Sequence, residues 1–157
     1  MLMVAVVVCA CAAAGGNGAG PVSVAVWNPE PIGPMTDTQM AMAEIIAARV
    51  LNQFSQSPRY EVVERQSLLK VLEEQNLGTS GLTDDQTRLE LGRIIGCRQM
   101  VFGAYQIIGN TMRLDIRTVD VSSSRVIKTA VATASANAVG NWMNAADKAA
   151  AELVSSR

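Results

Sequence analysis

Few side chains in this sequence could do chemistry, and the adjacent carboxylates Asp84 and Asp85 are the most prominent of them. Paired acids can bind a metal ion or act as an acid-base pair. The sequence contains no histidine, which excludes Ser-His-Asp, Cys-His and His-based metal sites. The run from Thr83 to Gln86 also matches a helix capping box, in which the acids favour the positive end of the helix. Because no other ligand cluster accompanies the acids, we predict capping, with no catalytic residue, metal or cofactor.

The three cysteines are the other reactive side chains. Cys97 has no CxxC partner, so no metal or redox motif is predicted there, and we expect a small buried apolar side chain. The motif VCAC resembles a bacterial lipobox that ends in Cys11, whereas Val8 is too bulky to precede a lipidated Cys9. Lipidation at Cys11 and ordinary cleavage near Ala14 are the two alternatives.

Charge and composition narrow the classes of partner. The 157 residues are 49% hydrophobic and 17% charged, which is typical of one foldable domain. Fourteen acidic and 13 basic residues give a net charge of -1, so nothing favours binding to a nucleic acid. We expect no small-molecule substrate either. The predicted partner is an envelope protein or a second copy of the chain.

The N-terminal 21 residues differ from the rest of the chain. Residues 1–14 form an uncharged apolar run of roughly 21 Å as a helix, too short for a ~30 Å bilayer core but suited to a signal or lipoprotein leader. No Lys or Arg precedes Arg49, so we expect the precursor to begin upstream. Residues 15–21 are Gly-rich and lead into a strand, so they predict a flexible tether rather than a dinucleotide-binding turn.

Hydrophobic periodicity predicts a single α/β (α+β) domain over residues 22–157, with two or three layers and a mixed five-stranded sheet. The predicted element order is β-α-β-α-α-β-β-β-α. The first two strands are expected to be parallel and the last three to form an antiparallel meander. The predicted elements are strand Val22–Trp27, helix Asp37–Gln56, strand Tyr60–Glu64, helix Gln66–Asn76, a third helix that ends at Gly96, strands Gln99–Ile108, Met112–Val121 and Arg125–Ala136, and helix Gly140–Val154.

Three finer features follow from the same patterns. Gly103 lies inside a predicted strand, which favours a close backbone approach. The alternation of strand Met112–Val121 slips near its end, which predicts a bulge. The segment Asn28–Thr36 holds three prolines and a glycine, so it is expected to be neither a helix nor a central strand but a constrained loop.

That loop and the helix after it supply the candidate contact residues. Ligands usually bind at the carboxyl edge of such a sheet, where Trp27 and Glu30 could line a site. The alternative for Trp27 is packing under the loop. A helical stripe that starts at Met40 is expected to face the core. Met42 could then contact a partner, although methionines more often fill core gaps.

Several stretches together resemble the Curli production assembly/transport component family, the CsgG-like group. These are YEVVERQSLLKVLEEQ from Tyr60, then GL at 81, LG at 91, IIG at 94 and VFGA at 101. The resemblance implies a bacterial envelope lipoprotein domain at the outer membrane, with Cys11 as the lipidated position and no catalytic residue. Relatives include subunits of an oligomeric secretion channel, flagellar accessory proteins and activators of peptidoglycan synthases.

This chain departs from that family in two places. Cys97 stands where relatives usually have a small residue such as alanine. The chain is also too short for the membrane-inserting hairpins of the channel members, and its C-terminal meander would place Arg113 or Asp120 toward lipid. We therefore predict a non-enzymatic periplasmic (lipo)protein that serves as a binding or assembly module. The alternative is a subunit of an oligomeric outer-membrane secretion channel.

Overall fold

A mixed sheet flanked by helices on both faces is the frame of the protein in a computed structural model, which describes residues 20–63, 70, 74 and 84–155. Within those residues the elements are β1 Val22–Val26, β2 Glu30–Ile32, α1 Asp37–Ser55, β3 Tyr60–Val62, α2 Asp85–Ile94, β4 Gln99–Ile108, β5 Thr111–Asp120, β6 Arg125–Ser135 and α3 Val139–Val154. The predicted α+β class and mixed sheet are confirmed. The leader, nearly all of the tether and most of the predicted helix Gln66–Asn76 lie outside the described residues, although Lys70 and Glu74 are helical.

The sheet has the strand order β3-β1-β4-β5-β6. Strands β3, β1 and β4 are parallel, and β4, β5 and β6 form the predicted antiparallel meander. Gly109, with a φ of +61°, begins the two-residue turn between β4 and β5, a conformation that glycine adopts without strain. The long crossover connections therefore lie in the N-terminal part of the chain. In the C-terminal part, each strand pairs with the strand that follows it in sequence.

The proline-rich segment after β1 contains a strand, so the prediction of a loop is wrong there. Strand β2 pairs in parallel with β4, with Glu30 opposite Ala104 and Ile32 opposite Gln106. Pro31 cannot donate a backbone hydrogen bond, but β2 pairs on one side only, so a missing donor is tolerated. As a result, β1 and β2 lie one after the other along the same side of β4.

One face of the sheet is covered by α1 and α3. Tyr105 of β4 is fully buried there, and its hydroxyl donates to the Gln39 backbone oxygen at 2.8 Å. Helix α1 begins with a capping box between Thr36 and Gln39. The members of this core are Val24, Met42, Ile46, Val50, Phe54, Val101, Tyr105, Met112, Leu114, Ile116, Ala130, Ala132, Trp142, Ala145, Ala146, Ala149, Ala150 and Leu153.

Among the described residues, α2 is the helix that packs on the other face. Helix α2 has ten residues, about 15 Å of helix, and packs over Phe102, Val119 and Val121. Arg113 and Asp115 alternate on the same face of β5 but lie beyond the helix, where they form an exposed ion pair. The apolar part of this face in β5 thus lies under α2, and its charged part lies beyond the end of α2.

A bulge is present where the sequence predicted one, although the cause is different. Thr118 pairs with Lys128 and Val119 pairs with Val126, so Ile127 is the extra residue and belongs to β6. The side chains of β5 keep their alternation through this point. The change from charged residues to valines on this face of β5 marks the point where the face passes under α2.

Gly103 occupies the close approach that the sequence predicted. A Cβ atom at this position would lie 2.7 Å from Ile116 Cγ2, 3.0 Å from the Asp115 backbone oxygen and 3.3 Å from Pro29 Cβ. The missing side chain thus allows β5 and the segment before β2 to pack against β4.

Candidate functional site

The predicted acid pair lies at the start of α2, where the two carboxylates do different things. Asp84 is the N-cap of α2, one residue later than the predicted Thr83, which lies outside the described residues. Its carboxylate accepts from the Thr87 backbone N–H and from the Thr87 hydroxyl, both at 2.8 Å. The backbone hydrogen bond, followed by the hydroxyl, lowers the pKa of Asp84 below its usual value. Asp84 therefore stays ionised as a cap.

Asp85 points into an ion-pair network together with Arg88, one helical turn later. The Arg88 side chain is only 9% exposed and bonds to Glu30 of β2, with Asp85 3.5 Å away on its other side. Its guanidinium carbon also lies 5.5 Å from the centre of the Trp27 ring. A buried guanidinium is stable only with such partners. Arg88 thus ties α2 to the segment that follows β1.

Arg117 of β5 extends the network. It bonds to Asp85 and lies 5.8 Å from the centre of the Phe102 ring. The order Glu30, Arg88, Asp85, Arg117 alternates two carboxylates with two guanidinium groups, so the cluster is electrically balanced. We refer to these four residues as the charge network.

A groove opens beside the charge network, between α2 and the β5–β6 hairpin. Its volume is about 480 Å³. The lining residues are Asp85, Gln86, Leu89, Glu90, Arg93, Phe102, Arg117, Val119, Ser124 and Val126. The groove combines an apolar floor with fixed charges at its rim, which is an arrangement suited to contact with another molecule. No group of three or more His, Cys, Asp or Glu side chains within the described residues could hold a metal ion.

The structure places the predicted contact residues in different surroundings. Trp27 is half-buried and Glu30 is exposed, and Arg88 brings them together. Met42 is 3% exposed and belongs to the core under α1, so it cannot contact a partner there. The predicted stripe was wrong at its start, because Met40 is 45% exposed, but Ala47, Val50 and Phe54 further along it are buried as predicted. Helix α1 has apolar side chains on more than one face, and its spacing alone does not determine which face meets the sheet.

Cys97 is buried, and Cys11 lies outside the described residues. The Cys97 thiol donates to the Gln99 backbone oxygen at 2.9 Å, and burial raises its pKa. A protonated, enclosed thiol agrees with the predicted role as a small buried side chain.

Sequence reasoning missed Arg88 and Arg117, which hold the charge network together. A signal for Arg88 was present, because Asp85, Arg88, Leu89 and Gly92 have helical i, i+3, i+4, i+7 spacing and define one face of α2. Arg117 had no comparable signal, since its partner on α2 is 32 residues away in sequence.

The fold is shared with several solved structures, all at low sequence identity. The C-terminal domain of LpoB from Escherichia coli superposes with a TM-score of 0.56 at 13% identity, over 78% of this chain and 89% of that one. Lipoprotein GNA1162 from Neisseria meningitidis gives 0.54 at 18% identity, over 73% and 81%. The PelC dodecamer from Paraburkholderia phytofirmans gives 0.52 at 12% identity, over 88% and 90%. These likenesses establish the fold.

Sequence comparison identifies the family. A search of curated proteins returned no significant match. None of the helices among the described residues has the length and apolarity needed to span a membrane. The profile of the Curli production assembly/transport component CsgG matches residues 27–108, just over half of the 157-residue chain. The match begins directly after β1 and includes β4 and three members of the charge network, Glu30, Asp85 and Arg88. The chain belongs to the CsgG family.

Proposed function

We propose that this protein is a non-enzymatic binding and assembly module of the bacterial cell envelope, held in the periplasm. Membership of a family described as a curli production assembly/transport component supports an envelope role. The lipobox-like motif ending at Cys11 supports a lipid anchor in the outer membrane. GNA1162, which has the same fold, is described as a lipoprotein. Together these support a tethered domain that works through contacts rather than through a reaction.

The observation that carries the binding role is the part of the second sheet face that α2 does not cover, considering only the residues that the structure describes. Ile32 and Ile108 are 52% and 66% exposed on this face, and Ile32 follows Glu30 of the charge network in β2. Trp27 and Glu30 lie at its margin and are proposed as partner contacts. Exposed apolar side chains beside fixed charges are typical of protein-protein interfaces. The proposed occupant is an envelope protein.

Site-specific photo-cross-linking in intact cells tests this role. A photoreactive residue placed at Ile108 or Val126 reports on the uncovered face, and one at Ile45 on the exposed side of α1 is the matched control. We expect the same adduct from both test positions and none from Ile45. Glu30→Lys should reduce that adduct. Equal labelling at all three positions, or none at any, would contradict a partner on this face.

A second candidate function is a subunit of an oligomeric protein secretion channel. The specific observation in its favour is that PelC, a dodecamer, matches this chain over 88% of its length. Light scattering of detergent-extracted protein separates the two candidates. A ring of many subunits supports the channel, and a small species supports the tethered module.

A further inference from the structure

Strand β6 is an edge of the sheet among the described residues, because it pairs with β5 alone. Its eleven residues contain no proline and no acidic side chain. One row of backbone N–H and C=O groups therefore faces away from β5. Natural proteins usually block such an edge with a charged side chain, above all lysine.

The lysine of this strand does not block the edge. Lys128 Nζ donates to the Leu153 backbone oxygen at 2.8 Å and also to the Ser155 backbone oxygen, at the C-terminal end of α3. The side chain therefore lies along the helix end, where a cation is favoured, and not across the strand. The edge remains open to another strand.

A groove runs beside this edge, between β6 and α3, and we call it the edge groove. One end has a volume of about 690 Å³ and is lined by Ile127, Lys128, Thr129, Glu152 and Ser155. The other end has a volume of about 300 Å³ and is lined by Thr133, Ala134, Ser135, Asn141, Asn144, Ala145 and Lys148. From Ile127 to Ser135 the groove follows nine strand residues, roughly 30 Å.

Helix α3 places one exposed charge of each sign along the edge groove, with Lys128 of β6 beside the acidic one. Lys148 lies beside Thr133–Ser135, and Glu152 lies beside Ile127–Thr129. Both side chains are exposed and one helical turn apart on α3. The midpoint between the two charges is therefore level with the midpoint of this stretch of β6, which is Val131.

We propose that β6 pairs antiparallel with β6 of a second copy of this chain, about a twofold axis through Val131. A twofold contact joins the same surface on both copies, so each contact occurs twice. In this register Lys148 faces Glu152 of the second copy, and Glu152 faces Lys148 of the second copy. The charge pattern of the edge groove thus complements itself when rotated.

The side chains of β6 also suit this register. Val131 is 45% exposed in the single chain and meets its own counterpart, which buries both. Thr129 meets Thr133 of the second copy, and Lys128 meets Ala134, so no like charges face each other. Pairs of β-branched residues and pairs of threonines stabilise antiparallel strands. Because the bulge at Ile127 interrupts regular pairing there, the facing stretch runs from Lys128 to Ala134. These seven positions give roughly six to eight backbone hydrogen bonds, since alternate positions exchange two each.

This dimer surface is separate from the proposed binding face. The charge network and its groove lie on the α2 side of the sheet, and the edge groove lies on the α3 side. The inference therefore does not rest on the proposed function. The dimer could form without a partner on the α2 side, and a partner could bind on the α2 side without the dimer.

Sedimentation equilibrium of the purified full chain tests the dimer with charge-swap variants. We expect twice the monomer mass for the unchanged protein, and about tenfold weaker dimerisation for Lys148→Glu or Glu152→Lys, because each places two pairs of like charges in contact. The double variant restores both ion pairs and should dimerise like the unchanged protein. Lys70→Glu, at an exposed helical lysine that lines neither end of the edge groove, is the matched control and should have no effect.

A monomer at all concentrations would overturn the proposal, and so would a double variant that stays as weak as the single ones. A larger ring that is insensitive to the charge swaps would overturn it as well. Oxidation of Val131→Cys checks the register, since this position lies next to its own counterpart and should form a disulfide between copies. Thr133→Cys lies two positions from the axis and should cross-link far less. Equal cross-linking of both variants would exclude the axis through Val131.

Discussion

Replacement of Gly103 by alanine should destabilise the fold, and the structure gives the reason. The added methyl group would lie 2.7 Å from Ile116 Cγ2 and 3.0 Å from the Asp115 backbone oxygen. Favourable contacts between carbon atoms are roughly 3.5–4.0 Å, so the neighbours must move apart by several tenths of an ångström or more. Ile116 is buried and Asp115 is paired in the sheet, so neither can move freely.

Two effects set the size of the change. Overpacking a tight core costs about 1–3 kcal/mol. Alanine restricts the unfolded chain relative to glycine, and that offsets about 0.5–1 kcal/mol. We expect the free energy of unfolding of Gly103→Ala to fall by about 1–2 kcal/mol, measured by urea denaturation with an unchanged m value.

Gly140→Ala is the matched control for this measurement. Gly140 lies in the first turn of α3, and a Cβ there would have no atom within 4 Å. The same substitution should therefore raise the free energy of unfolding by up to about 1 kcal/mol. If Gly103→Ala were as stable as Gly140→Ala, the close approach of β4 and β5 at Gly103 would not be a real constraint.

Three further variants test other parts of the structure by denaturation. Tyr105→Phe removes a buried hydroxyl that donates to a backbone carbonyl of α1, so it should lower the free energy of unfolding by about 1 kcal/mol. No change would mean that this hydrogen bond adds nothing to stability. Hydrogen bonds from Ser122, and then from the following serine, lower the pKa of Asp120 from 3.8 to about 2. The stabilisation from the ionised carboxylate is complete above about pH 4 and is lost as the pH falls to about 2. The free energy of unfolding of Asp120→Asn should therefore depend less on pH in that window. An identical pH dependence would contradict the role of these serine hydrogen bonds in stability. Arg88→Met leaves the half-exposed Glu30 without its cation and Asp85 with Arg117 alone, and should cost about 1–3 kcal/mol. Arg93→Met, at an exposed position, should cost less than about 0.5 kcal/mol, and equal costs would refute a structural role for the charge network.

Strong periodic patterns made much of the fold predictable from the sequence. Helices α1 and α3 were predicted to within one residue at each end, and the β4–β5–β6 meander follows from its short turns. In each of these elements one local pattern, either a helical apolar stripe or a strand alternation, agrees with the tertiary packing. Local and global preferences then point to the same structure.

The errors occurred where a distant part of the chain decides the outcome. Helix α1 has methionines on two faces, and only its position on the sheet selects Met42 for burial. Strand β2 exists because β4 extends beyond the end of β1 and offers backbone partners to the Glu30–Ile32 segment. The charge network likewise joins residues from β2, α2 and β5, and no local spacing relates Glu30 to Arg117. Such contacts are set by topology, which a single sequence shows only indirectly.

The strand order of the sheet has a consequence for the order in which the chain folds. Strands β4, β5 and β6 and helix α3 are joined by short connections, whereas Val24 of β1 must find Gln99 of β4, 75 residues further along the chain. Loop-closure entropy opposes distant pairings until the local ones exist. Because β1 precedes β4, the side of β1 that pairs with β4 must stay unpaired until β4 is present. Pulse-labelled hydrogen exchange should therefore protect the amides of β5 and β6 before those of β1. A chain that emerges N-terminus first would therefore complete its C-terminal strands before the pairing of β1 with β4.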